Sequence, residues 1–389
     1  MLGIAFRIEY QVGEGHTLIL TNGEKLIIHD GFPALQPFNL VAPGFHLSEN
    51  WDLSAFDPFA ASFFMLTRLE ESGLDSRDVH GRFTAERSQG VQQKCLHRPV
   101  VNEWADLIWN ALVRIGWRAE RKQRKFQMSI SCDVDHPRLW WSTTDRLKTL
   151  AAAVFKRGDL GEAGYWLRNH IFQKKDPYDI FDEWLDLFEK SNVVAQFNFM
   201  GVRPRTSDCW YPLQHPFVMD LMAKIAVRGH KIGFHPSYEA YDDPLVFDRE
   251  LASLRAVSPI EITSGRQHYL RFKVPETWQV WEAAGLQEDS TLGYPEVEGF
   301  RCGICHDFPV FDIEQRKMLH LREKPLIAMD VTLAQYRHYT PAQAVEHLTR
   351  LRLEVEKHDG DFTLLWHNSS WNSPFWEAWK AVFLSVVLG

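Results

Sequence analysis

Two aspartates separated by one residue, Asp133 and Asp135, follow an apolar segment that predicts a buried strand over 126–132. In extended backbone, side chains two positions apart point to the same side. One carboxylate can therefore bind a hard or borderline cation while the other accepts a proton from metal-bound water. The same pattern also occurs in solvated loops and at the metal–nucleotide site of glycosyltransferases.

Three histidines follow later apolar segments, which places them at predicted strand ends. His235 ends the sequence Gly-His-Lys-Ile-Gly-Phe-His, His268 lies between Arg266 and Arg271, and His367 follows Leu-Leu-Trp. A neutral imidazole at a strand end is a good ligand for zinc or a similar ion. An arginine beside a carboxylate base holds that base ionised. His367 is placed to protonate a leaving amine.

Beyond residue 123, segments typical of strands alternate with segments typical of helices, which predicts parallel strands. Helices are expected around 179–190, 216–227, 244–256, 275–284 and 342–357. Polar residues fall at or just beyond the expected carboxyl ends of the strands: Asp133, Asp135, Arg203, His235, His268, Asp289, Asp330 and His367. This distribution favours an α/β fold with a distorted or incomplete (β/α) barrel over a dinucleotide-binding sheet.

Residues 1–122 have a different pattern of apolar, polar and turn-forming residues. Short alternating segments with Asn-Gly and Asp-Gly turn signals predict strands up to about residue 43, and helices are expected over 57–71 and 101–117. The basic segment 118–125 then marks a change of pattern. We therefore expect a smaller N-terminal α+β domain at 1–122, followed by the barrel at 123–389.

The composition of the chain limits its partners and location. Its 389 residues carry a net charge of -8, which argues against nucleic acid as a partner, because binding a polyanion needs clustered cations. No segment resembles a secretory signal or a transmembrane span, and the five cysteines are typical of reduced thiols. These features predict a cytoplasmic protein, and the sequence is compatible with a homo-oligomer. The aromatic pair Trp140-Trp141 fits core packing, a sugar platform or a peripheral membrane contact.

The order of these motifs resembles the polysaccharide deacetylase superfamily, or carbohydrate esterase family four, over roughly residues 126–370. The resemblance implies a distorted (β/α) barrel and a metal-dependent deacylase that removes an N- or O-acyl group. By position, Asp133 matches the family's general base and Asp135 its metal-binding aspartate. His235 matches the first metal histidine, and His367 matches the general acid.

The chain departs from this family pattern at two places. Glu239 stands where the family has its second metal histidine, so the third ligand is either Glu239 or, as we expect, His268. The family's arginine motif is also absent, which leaves Arg266 and Arg271 as competing candidates for the arginine that tethers the base. The resemblance implies a divalent cation, and an Asp-His-His set favours Zn²⁺.

Four segments resemble an uncharacterised bacterial branch of the same superfamily: 57–71, 78–83, 288–294 and 299–306. That resemblance implies a nucleotide- or lipid-linked sugar from surface polysaccharide biosynthesis, such as O-antigen (lipopolysaccharide) or capsule. Segment 299–306 is expected to cover the barrel mouth, because its two cysteines lack the second pair that a structural zinc site needs. Asp289, Arg301 and Arg203 are the expected substrate contacts.

Two other functions fit part of the pattern. A glycosyltransferase would use Asp133-Val-Asp135 for a metal-bound nucleotide, but it leaves His235 and His367 without a role. A non-catalytic sugar-binding protein would explain the altered metal motif.

Overall fold

The computed structural model describes residues 7–11, 15–19, 25–28, 58–73, 77–114, 116–201 and 211–388. Together they form a mixed α/β protein with one large, mainly parallel sheet. The first three strands form a separate antiparallel sheet: β1 Arg7–Gln11, β2 Gly15–Ile19 and β3 Lys25–Ile28. No helix in the described part of the chain is both long and apolar enough to cross a membrane.

The large sheet contains the remaining described strands: β4 Gln127–Val134, β5 Gln196–Phe199, β6 Lys231–Phe234, β7 Ser264–Gly265, β8 Glu288–Asp289, β9 Phe308–Asp312, β10 Lys317–Glu323, β11 Ala328–Met329 and β12 Asp361–Leu365. Their order is β11-β12-β4-β5-β6-β7-β8-β10-β9. Every neighbouring pair is parallel except the β9–β10 hairpin, which the sequence did not predict. Among the described residues no pairing joins β11 to β9, so the sheet is open. The predicted α/β fold is confirmed.

Eleven α-helices accompany the sheets within the described ranges: α1 Pro58–Leu66, α2 Gln89–Gln92, α3 Val100–Arg114, α4 Thr143–Ala151, α5 Leu160–Trp166, α6 Phe181–Lys190, α7 Pro216–Val227, α8 Pro244–Arg255, α9 Glu276–Ala283, α10 Pro341–Lys357 and α11 Lys380–Leu388. Local signals explain where they begin. Thr340 and Gln343 form a capping box at α10, and the Asp243 side chain caps α8. In both helices proline occupies the first turn, where its missing N–H costs nothing.

Side chains along strand β5 alternate between the apolar core and a polar face of the sheet. Phe197 and Phe199 are fully buried in the main core, whereas Gln196 and Asn198 alternate with them along the strand, and the Gln196 amide donates to Asn198 Oδ1 at 2.8 Å. Gly233 of β6 pairs with Asn198, and a Cβ there would lie 2.0 Å from Asn198 Oδ1. The absence of a side chain at residue 233 therefore makes room for the Asn198 side chain beside strand β4.

Segment 299–306 does not cover the mouth of the barrel as predicted. It packs instead against the helices that precede β4, and Val101 N donates to Gly303 O at 2.7 Å. Cys302 and Cys305 are buried within it, and burial raises the pKa of both thiols, which keeps them protonated. Helix α3 thus contacts the part of the chain that carries the large sheet, while the proposed domain boundary stays a prediction.

Candidate metal centre and pocket

Three side chains from neighbouring parts of the sheet converge at its carboxyl edge. Asp135 follows β4, His235 follows β6, and His268 lies in the short turn after β7. The two imidazoles approach most closely, with His235 Nε2 2.9 Å from His268 Nδ1. Asp135 Oδ1 lies 3.3 Å from His235 Nε2 and 3.5 Å from His268 Nδ1. One ligand atom from each side chain can therefore contact the same ion.

The geometry and chemistry of this group fit a zinc-like cation. In a tetrahedral site with zinc–ligand bonds of ~2.0–2.1 Å, neighbouring ligand atoms are separated by roughly 3.3 Å. The buried Asp135 Oδ1 accepts no hydrogen bond from the described residues, although two imidazoles surround it. His235 Nδ1 donates to the carbonyl of Arg266 at 2.7 Å, which leaves Nε2 to face the centre.

The pKa values of the two imidazoles are shifted in opposite directions. Burial lowers the pKa of His268 to about 4, so this imidazole is neutral and able to bind a metal. Burial also opposes charge on His235, but Asp133 and Asp135 outweigh it and raise the pKa of His235. Cation binding at this centre therefore competes with protonation of His235, because only a neutral imidazole can act as a ligand.

Glu239, the other candidate for the third ligand, lies elsewhere. Its side chain is exposed on the segment after β6, and the described residues that can hold a metal at this edge are Asp135, His235 and His268. The structure thus brings His268, and not Glu239, to the other two ligands. The turn after the neighbouring strand β7 thus supplies the third candidate ligand, in place of the position four residues after His235.

Asp133 lies beside this centre and is tethered on one side. Asn198 Nδ2 and Arg266 Nη1 donate to Asp133 Oδ1 at 2.7 and 3.1 Å, while Asp133 Oδ2 lies 3.9 Å from His235 Nε2. Burial opposes ionisation, but His235 and Arg266 outweigh it and lower the pKa of Asp133. The carboxylate is ionised, and Oδ2 is the oxygen that lies towards the centre.

His367 approaches the centre from the opposite side of β4. It follows β12, and its Nδ1 donates to Asp330 Oδ1 at 2.8 Å, just after the neighbouring β11. Its Nε2 lies 3.9 Å from Asp135 Oδ2. Burial lowers the pKa of His367, but Asp330 and the other aspartates outweigh it and raise this pKa to about 9. From the sequence, Asp330 is expected at a strand end, but its hydrogen bond to His367 is not.

The two candidate arginines have different environments. Arg266 contacts Asp133, and it also donates to Ser131 Oγ at 2.7 Å. Arg271 lies away from Asp133, with its guanidinium 3.8 Å from the ring centres of both Tyr238 and Tyr241. The assignment of Arg271 as the tether is therefore corrected, because stacking between two rings occupies its side chain.

The predicted substrate contacts Asp289 and Arg301 also need correction. Asp289 is fully buried and accepts a hydrogen bond from Thr291 Oγ1 at 2.5 Å. Arg301 is 1% exposed and forms a buried ion pair with Glu71 at 2.5 Å. Neither residue lines the pocket at the metal centre, because each is enclosed among internal partners. The third predicted contact, Arg203, lies outside the described residues.

A cavity of about 480 Å³ opens above the centre, which is within the usual size range for small-molecule sites. Two tyrosines at its rim, Tyr269 and Tyr336, are 47% and 42% exposed. The sequence did not single out either residue, because an exposed tyrosine has no motif of its own. The residues that line the cavity include Arg82, Asp133, Asp135, His136, His235, Gln267, His268, Tyr269, Leu270, Met329, Tyr336 and His367.

Comparisons with known proteins give distant likenesses. Residues 14–116 match a family of unknown function, DUF7033, and no curated protein matches the sequence. A structure of a protein assigned to the polysaccharide deacetylases, from Mycobacterium smegmatis, is 16% identical with a TM-score of 0.43, covering 69% of this chain and 86% of that chain.

A CE4 family pseudoenzyme from Bacillus anthracis is 9% identical with a TM-score of 0.34, covering 67% of this chain and 60% of that chain. A mutant of that pseudoenzyme with restored enzymatic activity is 10% identical with a TM-score of 0.33, covering 69% of this chain and 65% of that chain. The fold and site define a mixed α/β protein with a candidate metal centre at the carboxyl edge of its parallel sheet. These likenesses are too distant to transfer an activity, so the function must be argued from the site.

Proposed function

We propose that this protein is a metal-dependent deacylase that hydrolyses an N-acyl group, acetyl or formyl, on a sugar. The observation that carries the proposal is the convergence of Asp135, His235 and His268 beside the tethered Asp133 and the Asp330-bound His367. Asp135, His235 and His268 would hold a divalent cation, with zinc favoured by this ligand set, and a bound cation would supply polarisation of the acyl carbonyl and a lowered pKa of a water molecule.

Asp133 is the proposed general base. Its Oδ1 is fixed by Asn198 and Arg266, so Oδ2 is the oxygen available to accept a proton from the attacking water. The lowered pKa keeps the carboxylate ionised at neutral pH, which is the state a base requires. Arg266 holds the orientation of this carboxylate through its additional bonds to Ser131 and Ser290.

His367 is the proposed general acid. Its Nδ1–H is directed to Asp330, so Nε2 is the nitrogen that can donate to a departing amine. The pKa of about 9 keeps the imidazole protonated at neutral pH. Acid and base come from neighbouring strands, since Asp133 lies in β4 and His367 follows β12, which pairs with β4. This arrangement suits a reaction in which one group takes a proton and the other supplies one.

The pocket suits a sugar. Tyr269 and Tyr336 offer aromatic faces at its rim, and an amphipathic ring can pack against the apolar face of a sugar while its hydroxyl stays in water. The sequence resemblance supports the finer proposal of a nucleotide- or lipid-linked intermediate in bacterial surface polysaccharide synthesis. That substrate would be reached from the cytoplasm.

A second candidate is a non-catalytic sugar-binding protein. The exposed Glu239, in place of the family's second metal histidine, favours it, because a lost ligand is one way to lose catalysis. The two functions differ in whether the purified protein holds a metal and releases an acyl group. A glycosyltransferase is less well supported, since it leaves His235 and His367 without a role.

Metal content and acyl release test the proposal together. Zinc per chain would be measured in the wild type and in Asp135→Ala, His235→Ala and His268→Ala, with Glu239→Ala as the matched control. Release of acetate or formate from N-acylated sugars would be followed with and without a chelator. We expect near-stoichiometric zinc and chelator-sensitive release in the wild type and control, and loss of both in the other variants. A wild type that stays metal-free after reconstitution would leave the sugar-binding protein as the better conclusion.

A further inference from the structure

The turn that carries His268 has an unusual backbone. Tyr269 and Leu270 both have positive φ angles, 60° and 53°, in the left-handed region that residues other than glycine rarely adopt. Two such residues in succession persist only when surrounding contacts hold them. The position of His268 therefore depends on whatever fixes this turn.

A loop in the N-terminal part of the chain, residues 78–83, both donates a hydrogen bond to this turn and accepts one from it. Arg82 Nη1 donates to the carbonyl of Tyr269 at 3.0 Å. In return, Arg271 Nε donates to the carbonyl of His80 at 2.7 Å. The His80 and Tyr269 rings also lie 5.2 Å apart. These contacts join residues 78–83 to residues 268–271 across nearly 190 positions of sequence.

The loop is itself preorganised for this contact. Asp78 Oδ1 accepts the backbone N–H groups of His80 and Arg82 at 2.9 and 2.8 Å, and Asp78 Oδ2 accepts Arg82 Nε at 2.8 Å. Gly81 has a φ of 74°, and a Cβ there would lie 3.4 Å from Arg271 Nη2. Arg82 is only 4% exposed and lines the pocket. Its guanidinium is therefore aimed at the turn by Asp78.

We propose that the loop Asp78–Phe83 positions the metal ligand His268, and that Arg82 is the positioning residue. This inference rests on the metal centre of the proposed function. It gives the N-terminal part of the chain a role in the site. The sheet part of the chain also holds this turn, since Gln267 N donates to Thr291 Oγ1 at 3.0 Å, and residues 78–83 add the hydrogen bonds to Tyr269 and from Arg271.

Zinc affinity tests this role without relying on turnover. Zinc dissociation constants would be measured by chelator competition on the full chain for wild type, Arg82→Ala and Arg82→Lys. Arg98→Ala is the matched control, because Arg98 pairs with Glu103 in the same part of the chain and does not contact the turn. We expect Arg82→Ala to weaken zinc binding by ~10–100-fold, as loss of a residue that orients a ligand does. Arg82→Lys should recover part of the affinity, and Arg98→Ala should leave it unchanged.

Hydrogen exchange of the metal-free proteins provides a second readout. The amides of Leu270 and Arg271 donate to the carbonyls of Gln267 and His268, and their exchange should accelerate in Arg82→Ala but not in Arg98→Ala. If Arg82→Ala bound zinc as tightly as the wild type and its amides exchanged at the wild-type rate, the inference would be overturned. A wild type without zinc, combined with faster exchange in Arg82→Ala, would overturn the proposed function and leave the positioning of this turn intact.

Discussion

Two buried carboxylates in this protein are paired with arginine, and their surroundings differ. Glu71 is fully buried, and both of its oxygens are taken: Arg68 and Arg301 donate to Oε1 at 2.8 and 3.0 Å, and Arg301 donates to Oε2 at 2.5 Å. Asp133 is also buried, but Arg266 and its other tether reach Oδ1 alone. Asp133 Oδ2 lies instead towards the pocket.

The difference separates a structural pair from a chemical one. Both oxygens of Glu71 accept hydrogen bonds from buried guanidinium groups, so neither is directed to a ligand, and Glu71 holds the segment around α1 against residues 293–301. A carboxylate tethered through one oxygen is oriented by the protein and keeps the other for a ligand or substrate. Burial and an arginine partner alone do not identify a catalytic carboxylate.

The largest effect is expected at Asp133. Asp133→Asn keeps the shape and the acceptor oxygen but removes the base, so we expect kcat/KM to fall by ~10²–10⁴-fold. The loss of stability should be smaller than the ~3–5 kcal/mol that breaking a buried pair costs, because the Asn amide oxygen can still accept from Asn198 and Arg266. Deacylation kinetics and denaturant unfolding would be measured on the same preparations. A variant that retains wild-type kcat/KM would remove Asp133 from the chemistry.

The reverse pattern is expected at Glu71. Glu71→Ala leaves Arg68 and Arg301 buried with less opposite charge, and breaking a buried pair in this way costs about 3–5 kcal/mol of unfolding free energy. Zinc content per folded chain should stay at the wild-type value. Glu103→Ala is the matched control, since its pair with Arg98 is partly exposed and should contribute only ~0–1 kcal/mol. Equal losses in the two variants would contradict the comparison.

The sequence predicted which residues meet at the carboxyl edge of the sheet better than it predicted their hydrogen-bond partners. Asp135, His235 and His367 could be placed at this edge because the carboxyl ends of parallel strands meet there. Local sequence could not separate Arg266 from Arg271, because a turn with two positive φ angles directs the two side chains apart. The role of Arg301 was also hidden, since its partner lies 230 positions away.

A smaller effect is expected on acidification, which should reduce the stability that the ion pairs of Glu71 with Arg68 and Arg301 contribute. Burial opposes ionisation of Glu71, but Arg301 and Arg68 outweigh it and lower its pKa below the ordinary value of 4.5. A carboxylate with a lowered pKa in the folded state stabilises the protein fully above its unfolded pKa, and this contribution is lost as the pH falls through the folded pKa. Unfolding free energies of wild type and Glu71→Gln would be compared from pH 7 downwards. The advantage of the wild type should be constant near neutrality and shrink below about pH 4.5, where the unfolded chain begins to bind the proton first. A difference that stayed constant throughout acidification would show that the pKa of Glu71 is the same in the folded and the unfolded protein, and the contrast with Asp133 would then rest on geometry alone.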